Sequence, residues 1–147
     1  MACFHRTLSP ESVYTRYFNV LKLSERIAHK RLDRVCHPPT REESVLVVER
    51  VVPGSSECEI IGVGRLSAPP DTSTGEVAII VSDAYQRQGI GSRLLRRLRD
   101  IAEEKQLSRL RADILSTNAV MLRVCSNAGM HLVGRTDAAE MRAEIDI

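Results

Sequence analysis

The chain has 147 residues, of which 43% are hydrophobic and 27% charged, and its formal net charge is +2 at pH 7. This length suits a single domain that spans residues 1–147. Nucleic acid is not an expected partner, because the net charge is small and aromatic residues make up only 3% of the chain. No apolar run reaches the roughly 18 residues of a membrane span, so no membrane partner is expected.

The N-terminal residues lack the apolar stretch of a signal peptide, which predicts a reducing, cytoplasmic location. The four cysteines, Cys3, Cys36, Cys58 and Cys125, include no Cys-x-x-Cys pair. A zinc site needs three or four convergent ligands, whereas the Cys36-His37 doublet supplies two. We therefore expect no metal and interpret the cysteines as buried or incidental surface thiols.

Helices are predicted in the first part of the chain. Ser9 is a predicted N-cap with Pro10 in the first turn, and this helix is expected to run to about Asn19. A second helix is predicted from Ser24 to a stop before Pro38. The residues ahead of Ser9 show no clean strand pattern.

Strands and helices alternate in the rest of the chain. Residues 44–52 and 59–67 are predicted to form a hairpin around the turn at 53–56. The apolar run at 76–81 predicts a buried strand, and leucines at helical spacing predict a helix at 92–107. The further predicted elements are a strand at 107–115, a helix opening at 116–118 and ending at 127–130, and strands at 131–134 and 140–147.

Two glycines stand where the predicted strand at 76–81 turns into the next helix. Residues 86–91 read Gln-Arg-Gln-Gly-Ile-Gly. Glycine lets the backbone approach a ligand closely, and a helix N-terminus offers unpaired N–H groups and the positive end of a dipole. The combination predicts a phosphate-binding turn. It is not a dinucleotide fingerprint, because the third glycine would fall on Leu94, and it lacks the Gly-Lys-Ser/Thr of a P-loop.

Arginines are concentrated in and after this turn: Arg87, Arg93, Arg96, Arg97 and Arg99. Arg87 and Arg93 lie closest to the turn and are the better candidates to attract an anionic cofactor. The later three suit a solvated helix face equally well.

Residues 86–91 resemble the (Arg/Gln)-x-x-Gly-x-(Gly/Ala) signature of the GNAT superfamily of N-acetyltransferases, which holds the pyrophosphate of acetyl-coenzyme A. Residues 118–130, from the opening Asn to the closing Asn-Ala-Gly-Met, resemble the second motif of that family. Residues 8–18 resemble the Leu-Ser-Pro-Glu-Ser-x-Tyr-x-Arg-Phe-Phe segment of one branch. That branch contains bacterial protein-lysine acetyltransferases and the acetyltransferase domain fused to acyl-CoA synthetases. The likeness covers residues 4–147.

The resemblance implies an α+β fold with a central, mostly antiparallel sheet flanked by helices. Family domains begin with a strand ahead of the first helix, and here that strand is expected to be missing or replaced. An unpaired sheet edge recruits other chains, so a homodimer is expected. The hairpin at 44–67 and the strand from Glu140 are equally suited to form its interface.

The resemblance also implies an enzyme that moves an acetyl group from acetyl-CoA, its cosubstrate, to a primary amine, with a protein lysine as the candidate acceptor. The cofactor-binding residues that it assigns are Ile79, Val81, Gln86, Arg87, Gln88, Gly89, Ile90, Gly91, Ser92 and Asn118. The strand backbone at Ile79 and Val81 is implied to pair with the pantetheine arm and to offer an N–H to the oxyanion.

Glu76 is the candidate general base. It opens an apolar strand, where a carboxylate is unfavourable unless it is used or paired. The residues alone slightly favour a glutamate that faces solvent or pairs with an arginine. The Glu-Val-Ala context at 76–78 matches the catalytic glutamate of the branch and shifts the interpretation to catalysis. Asp83 is the second candidate, with a turn-forming Asx bond as its alternative role.

Cys125 stands where many family members carry a tyrosine that protonates the leaving thiolate. We interpret Cys125 and Tyr85 as packing residues, which leaves open whether any side chain acts as the acid. The alternative function is a non-catalytic acyl-CoA-binding or sensing module, which would keep the phosphate-binding turn without turnover.

Overall fold

The structure is a computed structural model that describes residues 1–36, 42–134 and 139–147. The helices ahead of the sheet are α1 (Ala2–Arg6), α2 (Pro10–Tyr17), α3 (Leu23–Arg26) and α4 (His29–Cys36). The later elements are β1 (Glu43–Val51), β2 (Cys58–Ser67), β3 (Thr74–Val81), α5 (Ile90–Glu104), β4 (Arg109–Leu115), α6 (Ala119–Asn127), β5 (His131–Gly134) and β6 (Glu140–Asp146). A short 3-10 turn, Asp83–Tyr85, links β3 to α5.

Six strands form one sheet in the order β1-β2-β3-β4-β6-β5. Every neighbouring pair is antiparallel except β3 and β4, which run parallel. The predicted α+β fold with a mostly antiparallel sheet is confirmed. In the parallel pair only residues 74–76 are in register with residues 109–111. Beyond Glu76 the two strands are no longer paired, so a gap opens between them.

Helices cover both faces of the sheet. On one face, Val77 of β3 packs in a core cluster with Leu95 and Leu98 of α5. On the other face, Ile80 packs with Phe4 and with Val13 of α2. Because side chains alternate along a strand, Glu76 shares its face with Ile80 and lies on the α2 side.

The first predicted helix is confirmed. Ser9 is its N-cap, and its Oγ accepts a hydrogen bond from the Ser12 N–H at 3.1 Å. Helix α2 ends at Tyr17, two residues before the predicted end, because Phe18 takes a left-handed conformation with φ of 55°.

The single helix predicted from Ser24 is wrong, because this segment forms α3 and α4 with a break at residues 27–28. The side chain of Arg26, the last residue of α3, donates a hydrogen bond to the carbonyl oxygen of His5 at 2.7 Å. This contact fixes α3 against α1. The predicted stop at Pro38 lies outside the described residues.

The segment ahead of Ser9 forms α1, with Phe4 buried against the sheet. Within the described residues no strand precedes β1, so β1 is one edge of the sheet and β5 is the other. The strand from Glu140 is β6, and it lies between β4 and β5. Its two edges are already paired, so the expectation that it could form an interface by strand pairing is wrong.

The remaining predicted elements are present, with ends that differ by a few residues. In the described part of the chain, no helix combines the length and the apolar character that crossing a membrane requires.

Gly75 lies at the start of β3 beneath three leucines. A Cβ atom on residue 75 would lie 2.6 Å from Leu66 Cδ1 and 2.8 Å from Leu107 Cδ1. We predict that Gly75→Ala lowers the free energy of unfolding by about 1–3 kcal/mol, because packed leucines would have to move. Urea denaturation measures this change.

The matched control is Gly134→Ala, since a Cβ at residue 134 would meet no described atom within 4 Å. We expect it to change the free energy of unfolding by less than about 0.5 kcal/mol. Equal losses in the two variants would contradict the packing argument for Gly75.

Candidate active site

A cavity of about 360 Å³ lies where β3 and β4 part, between this gap and the end of α2. Glu76, the last β3 residue in register with β4, lies at its wall. The cavity is also lined by Arg16, Tyr17, Ile79, Asn118 and Glu140.

Two backbone N–H groups of β3 point toward the gap. The Ser82 N–H donates to the carbonyl oxygen of Ile61 in β2 at 2.8 Å, so residue 82 directs its backbone groups to β2. Successive strand residues direct these groups to opposite sides, so Ile79 and Val81 direct theirs toward β4. The bond of the Val81 carbonyl supports this direction: it accepts from Gln86 Nε2 at 3.1 Å and not from β2. Since β4 is not paired here, the N–H groups of residues 79 and 81 lack a strand partner.

The turn between β3 and α5 presents a series of unpaired N–H groups. Arg87 and Gly89 both have left-handed conformations, with φ of 60° and 81°. Among the described residues, no acceptor is found for the backbone N–H groups of residues 87–92. The first N–H to bond within the protein is that of Arg93, which donates to the Gly89 carbonyl at 3.1 Å. Such a series at a helix N-terminus suits an anion.

The two glutamines of the turn use their side chains to hold its shape. Gln86 Nε2 donates to Ser12 Oγ at 2.9 Å in addition to its bond to Val81. Gln88 Nε2 donates to the Ala84 carbonyl at 3.2 Å. These side chains therefore fix the part of the backbone that carries the unpaired N–H groups.

The charged groups around the turn separate into two sets. Arg97 pairs with Asp100 at 3.3 Å and Arg99 with Glu103 at 3.2 Å, as expected of a solvated helix face. Arg87 and Arg93 are exposed and have no carboxylate partner among the described residues. They leave positive charge beside the turn.

Asn118 has the position that the sequence predicts. Its Oδ1 accepts from the Met121 N–H at 3.1 Å, so its predicted role as N-cap of α6 is confirmed. The residue also lines the cavity. Its amide nitrogen makes no hydrogen bond to a described residue and is available to a ligand.

Glu76 is paired with an arginine, which the sequence left open as an alternative. Arg111 Nη2 donates to Glu76 Oε2 at 3.1 Å, and the two side chains are 38% and 45% exposed. The pair leaves Glu76 Oε1 without a hydrogen bond to any described residue. An arginine on one oxygen stabilises the negative charge, while the second oxygen can accept a proton, so pairing and base catalysis are compatible.

Asp83 and Tyr85 do not line the cavity. Asp83 Oδ1 accepts from the Ser9 N–H at 3.3 Å and so supports the start of α2. Tyr85 Oη donates to Glu59 Oε1 at 3.0 Å, and the guanidinium of Arg50 stacks on its ring. These contacts support the packing interpretation of Tyr85, and of the two candidate carboxylates only Glu76 lines the cavity.

Cys125 is fully buried in the core beside α5. Burial raises the pKa of its thiol to about 12. A thiol that holds its proton so firmly is a poor donor to a departing thiolate. The interpretation of Cys125 as a packing residue is confirmed.

Within the described ranges, no three or more His, Cys, Asp and Glu side chains come together as a metal site. His37 of the Cys36-His37 doublet lies outside those ranges.

The model of the acetyltransferase (GNAT) family matches residues 15–130, which include the turn and the cap of α6. The chain belongs to this family. It is an acyltransferase of the kind that uses acetyl-CoA.

Solved structures agree with this assignment. The GNAT domain of S. lividans PAT is 27% identical, with a TM-score of 0.83 over 99% of this chain and 82% of that chain. The ribosomal-protein-alanine N-acetyltransferase of Brucella melitensis is 17% identical, with a TM-score of 0.68 over 100% of this chain and 96% of that chain. Mycobacterium smegmatis RimJ in complex with CoA-disulfide is also 17% identical, with a TM-score of 0.72 over 99% of this chain and 76% of that chain. At 17% identity the last two bear on the fold alone.

Proposed function

We propose that this chain transfers the acetyl group of acetyl-CoA directly to the ε-amine of a protein lysine, with Glu76 as the general base. The observation that carries the proposal is the end of β3–β4 pairing at Glu76, which puts a carboxylate with one free oxygen beside an open gap. The lysine acceptor is supported by the 27% identity to S. lividans PAT, a protein acetyltransferase, and by the motif at residues 8–18.

The residues present fit acetyl-CoA as the donor. The N–H groups of residues 87–92 suit its pyrophosphate, with Arg87 and Arg93 adding positive charge. The N–H groups of Ile79 and Val81 suit an extended, amide-containing arm, which would add to β3 as a strand would. Asn118 lines the same gap. When bound, acetyl-CoA supplies the thioester that is cleaved.

The residues of the gap divide the chemistry between them. Glu76 Oε1 takes a proton from the acceptor ammonium, directly or through a water, and the free amine attacks the thioester carbon. The new C–N bond forms as the C–S bond breaks, and the nitrogen releases its second proton to water. An N–H of Ile79 or Val81 stabilises the negative charge that develops on the carbonyl oxygen. Cys125 and Tyr85 are held elsewhere, so the thiolate leaves as an anion or takes its proton from water.

The first prediction concerns the donor site. A Cβ on residue 91 would meet only Val124 Cγ2, at 4.0 Å, among the described atoms outside its own helix, so the fold has room for a Cβ there. We predict that Gly91→Val weakens acetyl-CoA binding by about 2 kcal/mol or more, because it blocks the approach to charge-assisted N–H bonds. Titration calorimetry measures the affinity, and thermal unfolding checks the fold. Unchanged affinity in a folded variant would contradict the assignment of the turn.

The second prediction concerns the base. Glu76→Gln should lower turnover by roughly 100- to 10,000-fold, the usual effect of losing a general base, while acetyl-CoA affinity stays nearly constant. The fold should tolerate the change, because a half-exposed ion pair contributes only about 0–1 kcal/mol. Activity should recover partly at high pH, where free amine forms without help.

The matched control for this variant is Asp83→Asn, which also neutralises one carboxylate near β3 and should keep turnover within a few-fold of wild type. A reversed pattern would make Asp83 the base. Wild-type protein that binds acetyl-CoA but acetylates no amine or protein lysine would favour the acyl-CoA-binding module instead.

We also propose that the protein forms a homodimer through the outer edge of β1. That edge is unpaired in the described part of the chain, and Val47 and Val51 are 45% and 63% exposed. Light scattering at micromolar concentration should give twice the chain mass. Val47→Lys combined with Val51→Lys should give the monomer, while the same change at Leu132 and Val133 of β5 should not. A monomeric wild type would rule the dimer out.

A further inference from the structure

Arg16 lies at the wall of the cavity, and no described carboxylate pairs with its charge. It belongs to α2, is partly buried, and lines the cavity together with Glu76. Within the described residues, no carboxylate lies within ion-pair distance of its guanidinium, and it makes no hydrogen bond. The charge of Glu76 acts on Arg16 from a distance, but the ion pair that this carboxylate forms is with Arg111 through Oε2, and its Oε1 makes no ion pair with Arg16.

The other arginines on this face of the sheet are paired. The pairs are Arg65 with Glu43, Arg109 with Asp146 at 2.8 Å, Arg111 with Glu76 at 3.1 Å, and Arg142 with Asp113 at 2.8 Å. Arg16 therefore contributes a positive charge that its neighbours on the sheet leave uncompensated.

The surroundings hold the Arg16 guanidinium in place. Its Cζ lies 4.9 Å from the centroid of the Tyr17 ring, and the Cζ of Arg31 lies 4.8 Å from the same ring. Burial lowers the pKa of Arg16, and the charges of Arg65 and Arg31 lower it further, while Tyr17 and Glu76 act in the opposite direction. A charged group that is partly removed from water without a partner is unfavourable unless an anion binds beside it.

We infer that Arg16 binds a carboxylate of the acceptor, so that the enzyme prefers amines that carry a negative charge nearby. The inference rests on the proposed function, because Glu76 and Arg16 line the same cavity and would hold the ammonium and the carboxylate of one acceptor. The planar guanidinium of arginine binds a carboxylate through two parallel hydrogen bonds, which a lysine cannot reproduce. The carboxylate comes either from an Asp or Glu beside a protein lysine or from the α-carboxylate of a free amino acid.

The test compares acceptors that differ only in charge. One arm uses lysine peptides flanked by Asp and Glu against the same peptides with Asn and Gln. The other arm uses free lysine against lysine amide. We expect wild type to favour the carboxylate-bearing acceptor in one arm by about 10- to 100-fold in kcat/KM, the range for a hydrogen bond to a charged group. The arm that shows the preference identifies the source of the carboxylate.

Variants assign the preference to Arg16. Arg16→Gln should bring the ratio of the two kcat/KM values to near one, mainly through KM, and Arg16→Lys should keep part of it. Arg97→Gln removes the same charge from an exposed site on α5 and should keep the full ratio. Calorimetric titration with acetyl-CoA confirms that each variant is folded.

The outcomes separate the inference from the proposed function. A wild-type ratio near one in both arms, or a ratio that survives in folded Arg16→Gln, overturns the role of Arg16 and leaves Glu76 as the base. A preference seen only for free lysine, and lost in Arg16→Gln, supports Arg16 while contradicting a protein acceptor. Absence of turnover with every acceptor overturns both.

Discussion

The short parallel pairing between β3 and β4 is the constraint on which the site depends. The two strands share three residue pairs, at 74–76 with 109–111, and are unpaired beyond them. Each further pair would have used the N–H groups of Ile79 and Val81 in the sheet. Because these groups stay unpaired, the strand keeps donors that an extended ligand can take. Because Glu76 lies at the end of the pairing, the proposed base and the gap are parts of one arrangement.

A second constraint fixes the turn between β3 and α5, the proposed phosphate site, relative to this gap. Helix α5 lies close on β2, because two β2 residues opposite it are glycines. A Cβ on Gly62 would lie 3.2 Å from Ile90 Cγ2, and one on Gly64 would lie 3.1 Å from Leu98 Cδ1. Larger residues there would push α5 outward and shift the first turn of the helix, whose N–H groups are the proposed phosphate donors.

Features set by neighbouring residues could be predicted from the sequence. The Ser9 and Asn118 caps each depend on an N–H three residues ahead, and the turn depends on Gly89, whose φ is positive. These local signals do not depend on contacts with distant parts of the chain. The family motifs made it possible to predict the wider site, because they specify the order of strand, turn and helix.

Features set by distant contacts could not be predicted in this way. The break between α3 and α4 accompanies a bond from Arg26 to His5, which is 21 residues away. Arg111, the partner of Glu76, is 35 residues from it. The interior position of β6 follows from sheet topology, which no local pattern records. The lack of an ion pair at Arg16 could not be inferred either, because it depends on which arginine each nearby carboxylate pairs with.

The two faces of β3 differ in the polarity of their surroundings. Val77 and its neighbours face a dry core beneath α5, whereas Glu76 lies in a row of ion pairs that crosses the sheet below α2. Partly exposed pairs of this kind add little stability, so the row is poorly explained as a device for holding the fold. Its effect is to keep polar the part of that face around Glu76, which suits the charged acceptor that we propose. On the Glu76 face this polar row lies beside the apolar cluster of Ile80, Phe4 and Val13, so the cluster anchors the strand while Glu76 stays partly exposed.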